Sequence, residues 1–235
     1  MKIKNKDLAI YLGFKLNKIG DTYTPLELNE LKDLELNHFN SFGEYVDIDL
    51  DILDFTNNLE SITFKNFEID DEIINKIKGY SKLKSLSFDH SLVDFEKISQ
   101  LKIDYLSITN NALVRTDYFK NNMYKGLIIT DSDLIDIKNI EHMTDLEFLH
   151  ISNSNVINYE LLEKLKKISI LEFDETNISD ISFLLELPNI KKVSLDKELY
   201  IKNIDIIKEL KKRNVTFFER GYLPIVDYED IKMSK

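Results

Sequence analysis

The residues of this chain that could support proton transfer are His150 and Glu172. An imidazole and a carboxylate within hydrogen-bond distance can act as acid and base on a bound substrate. The two residues are separated by one 22-residue period of the apolar pattern described below, so this pattern places their side chains next to each other. It places no nucleophile and no electrophile-holding group beside them, and we therefore interpret the pair as a polar contact. A hydrolytic enzyme using His150 and Glu172 is the less favoured alternative.

Other residues with metal-binding potential lack the spacing that such sites need. The acidic residues Asp47, Asp49, Asp51 and Asp54 have neither the glycine nor the closing glutamate of an EF-hand loop, so we interpret them as the solvated side of a strand. The remaining histidines form no set with metal-ligand spacing: His38, His90 and His142. The chain has only six glycines and no phosphate-binding or catalytic signature motif. We expect no metal ion and no cofactor.

Composition limits the class of protein and of partner. The chain has 235 residues, of which 43% are hydrophobic, no cysteine and a formal net charge of -11. It is apolar enough to fold around a core, and it can form no disulfide. The negative charge disfavours nucleic acid and anionic membrane and favours a basic protein partner. We find no signal-like or membrane-spanning apolar run and expect a cytoplasmic protein; abundant Ile, Asn, Lys and Asp indicate a bacterial source.

An apolar pair recurs along most of the chain and defines the elements that position these residues. The spacing between successive pairs varies slightly over the first three steps and then keeps a constant 22-residue period over the last four. The pairs are Ile62/Phe64, Leu86/Phe88, Leu106/Ile108, Leu127/Ile129, Leu149/Ile151, Leu171/Phe173, Val193/Leu195 and Val215/Phe217. A fixed period of this length is typical of a stacked solenoid, which carries its function on an extended surface.

The rest of each repeat predicts a compact return to the next strand. Another apolar residue comes three positions before most pairs, and a further one comes five positions after them. Between strands the apolar residues step by three, as in Ile178, Ile181 and Leu184, which suits a 3₁₀ or short helical segment. The predicted fold class is therefore an α/β repeat solenoid, with a parallel β-sheet on one side and short helical segments on the other.

Two segments, LEFLHISNSNVINYELLEKLKKISILEF and LEFDETNISDISFLLELPNIKKVSL, resemble leucine-rich repeats of the 22-residue class found in internalins and in protein-phosphatase regulatory subunits. The resemblance implies a curved, right-handed solenoid with the sheet on its concave face. It also implies a buried polar ladder, usually of asparagine, at one position of each repeat. That position falls on Phe67, Ser91, Asn111, Ser132, Ser154, Thr176 and Glu198.

The segment NKDLAIYLGFKLNKIGDTYTPLELNELKDLEL resembles the helical N-terminal cap of internalins. Thr24 is expected to be a helix N-cap with Pro25 in the first turn. The alternating Val46, Ile48 and Leu50 predict a short strand. We predict a cap over 1–58, about eight repeat strands over 59–217 and a C-terminal cap or tail over 218–235. Because the resemblance also implies surface display, the alternative to a cytoplasmic protein is a trimmed domain of a secreted or surface-displayed one.

The residues that alternate with the buried pairs face the concave sheet, where those of neighbouring repeats lie side by side. An apolar cluster is expected there, flanked by the polar pair His150 and Glu172. Its members are Tyr105, Ile128, Phe148 and Ile170. Such a cluster with a polar rim is typical of a protein-binding site, so we predict that a partner protein binds these six residues. Coverage by the tail or a convex loop, or simple cross-strand packing, is the structural alternative.

Acidic residues on the same face suggest a more specific alternative. Asp89, Asp174 and Asp196 follow the buried pairs of three repeats and would steer a basic partner toward the sheet. On this hypothesis the chain is an acidic inhibitor or immunity-type protein that neutralises a basic enzyme or toxin. Self-association along the edge of the solenoid is a further possibility. The sequence leaves the identity of the partner and the oligomeric state open.

Overall fold

The computed structural model describes residues 1–111, 114, 116–219 and 223–224. The chain divides into two compact units, Met1–Asn111 and Ala112–Lys235, which we call the first and the second unit. In both units short strands alternate with helical segments, and the core lies between the main parallel sheet and these segments. This arrangement is the one that the apolar repeat predicts.

The helices and strands follow the predicted order of strand and return. In the first unit they are α1 (Lys6–Lys15), α2 (Pro25–Leu28), β1 (Asp33–Asn37), a 3₁₀ helix (Leu50–Phe55), β2 (Ser61–Lys65), β3 (Glu68–Ile69), α3 (Asp71–Lys78), β4 (Ser85–Asp89), β5 (Leu92–Val93), α4 (Phe95–Ile98) and β6 (Tyr105–Thr109). In the second unit they are a 3₁₀ helix (Thr116–Asn121), β7 (Gly126–Thr130), β8 (Leu134–Asp136), a 3₁₀ helix (Ile137–Asn139), β9 (Phe148–Ser152), β10 (Asn155–Ile157), a 3₁₀ helix (Tyr159–Lys164), β11 (Ile170–Glu172), a 3₁₀ helix (Ser182–Glu186), β12 (Lys192–Ser194), α5 (Lys197–Lys202), α6 (Ile204–Lys212), β13 (Thr216–Glu219) and β14 (Leu223–Pro224).

The main sheet of the first unit pairs β1, β2, β4 and β6 in parallel, in that order. Leu34 pairs with Ile62, Ile62 with Leu86 and Leu86 with Leu106, and all four side chains are buried. Because side chains alternate along a strand, the residues between them lie on the opposite face, which we call the open face. The strand β1 lies within 1–58, so the sheet begins one strand before the first apolar pair of the repeat.

The main sheet of the second unit pairs β7, β9, β11, β12 and β13 in parallel, in that order, and β14 joins β13 in antiparallel orientation. Leu127 pairs with Leu149, Leu149 with Leu171 and Leu171 with Val193. These pairs confirm the 22-residue period over three successive steps. All four side chains are at most 1% exposed, so the column forms the centre of the core of this unit.

The last repeat departs from the period. Val193 pairs with Phe217, whereas a 22-residue step predicts a pair with Val215. That prediction is wrong because two α-helices, α5 and α6, replace the single 3₁₀ segment of the preceding return and delay the strand by two residues. Val215 and Phe217 are both buried. A shift of two residues leaves the buried and open faces of the strand unchanged.

A residue with left-handed backbone comes directly after each of β2, β4, β6, β7 and β9, and another comes three residues after the end of β11. Most of these residues are Asn or Asp, which tolerate positive φ because their short side chains hydrogen-bond to neighbouring groups. They are Asn66 (φ 60°), His90 (φ 48°), Asn110 (φ 53°), Asp131 (φ 56°), Asn153 (φ 44°) and Glu175 (φ 54°). The conformation turns the chain sharply at the end of each strand, as re-entry of the next apolar residue into the core requires.

The predicted ladder position carries hydrogen bonds between repeats. Ser91 Oγ accepts a hydrogen bond from the backbone N–H of Phe67 at 3.1 Å and donates one to the carbonyl of Phe64 at 3.1 Å. Asn111 Nδ2 then donates to the carbonyl of Ser91 at 2.8 Å. Phe67 itself has no ladder role, since its ring is buried against Phe64, and Glu198 lies in the first turn of α5.

The N-terminal segment contains the predicted helix start. Thr24 caps α2, with Pro25 in the first turn; the Glu27 N–H donates to Thr24 Oγ1 at 3.2 Å and the Thr24 N–H donates to Glu27 Oε2 at 2.7 Å. Lys18 Nζ also donates to Glu27 Oε1 at 2.7 Å. These hydrogen bonds, with that from Lys18 the strongest, lower the pKa of Glu27 to about 2.

The strand predicted from Val46, Ile48 and Leu50 is wrong. Residues 46–49 are irregular, and Leu50 begins a 3₁₀ helix. The side chain of Asp49 accepts a hydrogen bond from the N–H of Asp51 at 3.1 Å, which starts this helix in place of a strand. At the other end, most of the predicted C-terminal cap over 218–235 lies outside the described residues.

Candidate protein-binding face

The open face of the second unit carries three half-buried apolar side chains, Ile128, Phe148 and Ile170, which we call the apolar patch. Phe148 of β9 pairs with Ile170 of β11 on one side and with Gly126 of β7 on the other. Gly126 has no side chain and so adds no apolar group on that side of Phe148. Ile128 lies one position further along the face, opposite His150. The pairing therefore brings together three of the four predicted cluster residues.

The fourth cluster residue, Tyr105, belongs to the first unit. It begins β6, pairs with Ser85 of β4 and is 45% exposed. Asp89, at the end of β4, accepts hydrogen bonds from Asn110 Nδ2 at 2.7 Å and Thr109 Oγ1 at 3.1 Å and contacts His90 Nδ1 at 2.8 Å. Burial raises its pKa, but these hydrogen bonds outweigh burial and hold the pKa below its usual value. Asp89 is thus ionised, and its carboxylate is hydrogen-bonded to residues at the ends of β4 and β6.

His150 and Glu172 are in contact, as their 22-residue separation predicts. They pair across β9 and β11, and His150 Nδ1 lies 3.3 Å from Glu172 Oε2. The side chain of His150 is 25% exposed and that of Glu172 is 9% exposed. No hydrogen bond from another described residue reaches the Glu172 carboxylate. Among the described residues, the Glu172 carboxylate therefore has one polar contact, the imidazole of His150.

Asp174 is a buried carboxylate close to this pair. It follows β11, is 5% exposed, and both of its oxygens accept from Ser194 Oγ at 3.0 Å. Burial is the main cause that raises the pKa of Asp174, and the nearby charges of Asp196 and Glu172 raise it further; the hydrogen bonds from Ser194 and the proximity of His150 act in the opposite direction. The sequence predicts an exposed steering charge here, and the burial of Asp174 is a difference from that expectation.

Asp196 completes the group that we call the carboxylate cluster: Glu172, Asp174 and Asp196. One oxygen of Asp196 accepts a hydrogen bond from the backbone N–H of Glu175 at 2.8 Å, which ties the start of α5 to the preceding turn. Its charge is near enough to raise the pKa of Asp174. The cluster thus combines three carboxylates with one nearby imidazole.

The sequence analysis did not predict two further groups of apolar residues that a partner could contact. Phe218 pairs with Ser194 and so continues the row of His150 and Glu172 on the open face; only the longer last repeat, not the 22-residue period, locates it. In the first unit, α1 exposes 70% of Ile10 and 86% of Phe14, which lie one turn apart. The sequence does contain a signal for these exposed residues of α1: the apolar residues of this helix lie on all of its sides instead of forming one stripe.

Within the described ranges, no three histidine or acidic side chains are placed to hold a metal ion together. The same residues include no helix long and apolar enough to cross a membrane. The described side chains on the open face of the second unit offer apolar contact, hydrogen bonding and negative charge.

Comparisons with known proteins identify the fold. No protein-family model matches the chain, and no curated protein sequence matches it either. The crystal structure of internalin C2 from Listeria monocytogenes is similar, with a TM-score of 0.60 and 23% identity over 84% of this chain and 89% of that one. The chain has an internalin-type leucine-rich-repeat fold. Internalin F from the same organism also matches, with a TM-score of 0.49 and 15% identity over 98% of this chain and 93% of that one.

The likeness to internalin C2 confirms the predicted fold class of a leucine-rich-repeat solenoid. It agrees with the observed alternation of parallel strands and short 3₁₀ or α-helical returns in each unit. A fold of this kind leaves one face of its sheet without a covering layer of helices, so that face is the first place to look for function.

Proposed function

We propose that this chain is a protein-interaction module whose partner binds the open face of the second unit. The observation that carries this proposal is the direct pairing of Phe148 with Ile170 beside the buried carboxylates Glu172 and Asp174. Apolar side chains on an open face, bordered by polar groups, form the kind of surface that supplies most of the binding energy in protein interfaces. His150 serves in this proposal as a polar contact at the rim.

An interaction role accounts for the polar residues better than an enzymatic role does. Ser194 pairs directly with Glu172 across β11 and β12, but its hydroxyl donates to Asp174. A serine engaged in this way is not activated by His150 as a nucleophile. The imidazole instead contacts Glu172, which limits the positional freedom of both side chains. We therefore propose that the module is not an enzyme.

Affinity capture with matched variants tests this proposal. The bait is the full chain, used as wild type and as Phe148→Ala/Ile170→Ala, with a lysate of the source organism. The control variant is Leu134→Ala/Ile157→Ala, which removes two other exposed apolar side chains of the second unit, on β8 and β10. A protein retained by wild type and control but lost from Phe148→Ala/Ile170→Ala supports the proposed face.

Two further variants locate the partner if it binds elsewhere. Retention by Phe148→Ala/Ile170→Ala together with loss from Ile10→Ala/Phe14→Ala would contradict the proposed face and move the site to α1. Tyr105→Ala separately measures what the first unit contributes, because Tyr105 is exposed on β6. Equal recovery with every variant would exclude all these apolar residues as the binding site.

The second candidate function is neutralisation of a basic enzyme or toxin. The net charge of -11 and the carboxylate cluster favour it. Long-range attraction raises the association rate and is screened by salt, so the rate constant should fall steeply as salt is added. Stopped-flow association with the captured partner measures this dependence. An association rate that does not change with salt would contradict the steering role of Asp89, Asp174 and Asp196.

A further inference from the structure

We propose that the carboxylate cluster receives an arginine side chain of the partner, whose aliphatic stem lies on Phe148 and Ile170. This inference rests on the proposed function and names the chemistry of the partner. It follows from three observations. Glu172 is little exposed, and its polar contact among the described residues is with one imidazole. Asp174 accepts from a single hydroxyl, and the apolar residue Ile170 lies on the same strand face as Glu172.

Glu172 is the first of these observations. Its side chain is 9% exposed, and its polar contact among the described residues is with His150 Nδ1, at 3.3 Å. A carboxylate has two oxygens that together accept about four hydrogen bonds, so a carboxylate with one such contact can accept more. No other described residue donates to either oxygen, so the carboxylate can accept a hydrogen bond from an incoming donor.

Asp174 is in a similar position. A single hydroxyl proton, that of Ser194, is shared between its two oxygens, so most of its accepting capacity is unused. Together with Glu172 and Asp196 it gives up to three negative charges, against one imidazole and no lysine or arginine in the described contacts of these three residues. A cation from the partner would offset this repulsion, because the attraction between opposite charges is stronger in a partly buried site than in water.

The position of the apolar patch indicates which cation fits. Ile170 and Glu172 are two residues apart on the same face of β11, a separation of roughly 7 Å along the strand. Phe148 lies beside Ile170. A long side chain that packs its methylene groups on Phe148 and Ile170 brings its charged end to Glu172 and Asp174.

Arginine suits this site better than lysine does. Its guanidinium is planar and offers five N–H donors, so it can bond two carboxylates at once, whereas the ammonium of lysine acts as a compact, strongly hydrated charge. A guanidinium also stacks favourably on an aromatic ring such as that of Phe148. The partner is thus expected to present an exposed arginine next to apolar residues.

A short peptide tests this inference without the partner. Acetyl-Gly-Arg-Gly-amide is titrated into the isotope-labelled full chain, and the Ile170 methyl signals and the side-chain carboxyl ¹³C signals are followed by NMR. We expect shifts concentrated at Ile170, Glu172 and Asp174. The same peptide with citrulline, which has the shape of arginine but no charge, should leave these signals unchanged, and the lysine peptide should bind more weakly.

Matched variants separate a specific site from general attraction to an acidic chain. Glu172→Gln/Asp174→Asn should weaken binding of the arginine peptide by about tenfold or more. Glu160→Gln/Glu163→Gln changes the charge equally at exposed positions and should leave binding within about twofold. Asp174→Asn alone serves as a second variant, and ¹H–¹⁵N spectra verify that each variant is folded. Equal weakening by both double variants, or shifts spread over all acidic surfaces, would overturn the inference.

The outcome is separable from that of the proposed function. If a captured partner depends on Phe148 and Ile170 but binds Glu172→Gln/Asp174→Asn as tightly as wild type, the arginine inference fails while the proposed face stands. If no captured protein depends on Phe148 and Ile170, the proposed function fails, and the inference that rests on it fails as well.

Discussion

Ser154 Oγ accepts a hydrogen bond from the backbone N–H of Ser132 at 3.1 Å. The two serines occupy the same position of successive repeats. Ser154 also donates to the carbonyl of Ser152 at 2.8 Å, so one hydroxyl satisfies backbone groups of two repeats. Ser91 does the same for Phe67 in the first unit. Serine therefore performs in this chain the role that the family resemblance assigns to asparagine.

We expect Ser154→Ala to destabilise the second unit by about 1–3 kcal/mol, because the N–H of Ser132 would be left buried without an acceptor. Chemical denaturation monitored by circular dichroism measures this change. Ser152→Ala is the control: Ser152 lies on the open face of the neighbouring strand β9, and its substitution should change stability by no more than about 0.5 kcal/mol. Similar values for the two variants would show that the hydrogen bond to Ser132 contributes nothing.

Neighbouring residues of β11 should differ strongly in their effect on stability. Leu171 is fully buried, so Leu171→Ala should cost about 2–5 kcal/mol through lost burial and the cavity left behind. Ile170 is half-buried on the open face, and Ile170→Ala should cost about 1 kcal/mol. The free energy of unfolding of each variant gives the comparison. The reverse order would mean that the two faces of the strand are assigned wrongly.

The period of the apolar pairs explains how much of the fold the sequence predicts. Leu127, Leu149 and Leu171 follow each other at the 22-residue period because each return is of similar length, and the structure pairs them as predicted. The period fails where a return changes length, which is why Phe217 is two residues late. It also fails before the first full repeat, where Leu34 and Leu36 form a buried strand that lies outside the regular spacing.

The candidate site was predictable only in part, for a related reason. A period and the alternation of faces determine which residues are neighbours, and so they predict the contact between His150 and Glu172. They do not determine how deeply each side chain is buried. Asp174 has the same position in its repeat as Asp196, yet of the two only Asp174 is buried, and both of its carboxylate oxygens accept from the Ser194 hydroxyl.

The helix start at Thr24 provides a test in the first unit. Thr24→Ala removes the side chain that accepts from the Glu27 N–H and should cost about 1 kcal/mol. Thr22→Ala is the control, since Thr22 is exposed and its hydroxyl donates to the adjacent Asp21. Thermal unfolding of both variants beside the wild type gives the difference. An equal effect of the two substitutions would mean that the capping box does not stabilise α2.

Asp174 makes the stability of the second unit depend on pH in an unusual direction. Its pKa is raised in the folded state, chiefly by burial. An acid with a raised pKa binds its proton more tightly when folded, so its contribution favours folding at low pH and is lost as the pH rises through the folded pKa. Asp174→Asn removes the buried charge, and the variant should therefore be more stable than wild type at neutral pH.

This gain should shrink as the pH falls through the raised pKa and vanish below the ordinary aspartate value of 3.8. The other charged groups near Asp174 are His150, Glu172 and Asp196, and they remain in both proteins, so they largely cancel in the comparison. Urea denaturation of wild type and variant across this pH range measures the difference. A variant less stable than wild type at neutral pH would mean that the hydrogen bonds from Ser194 outweigh the cost of burying the charge. Such a result would also weaken the case for a cation from the partner, because a well-compensated carboxylate has little to gain from one.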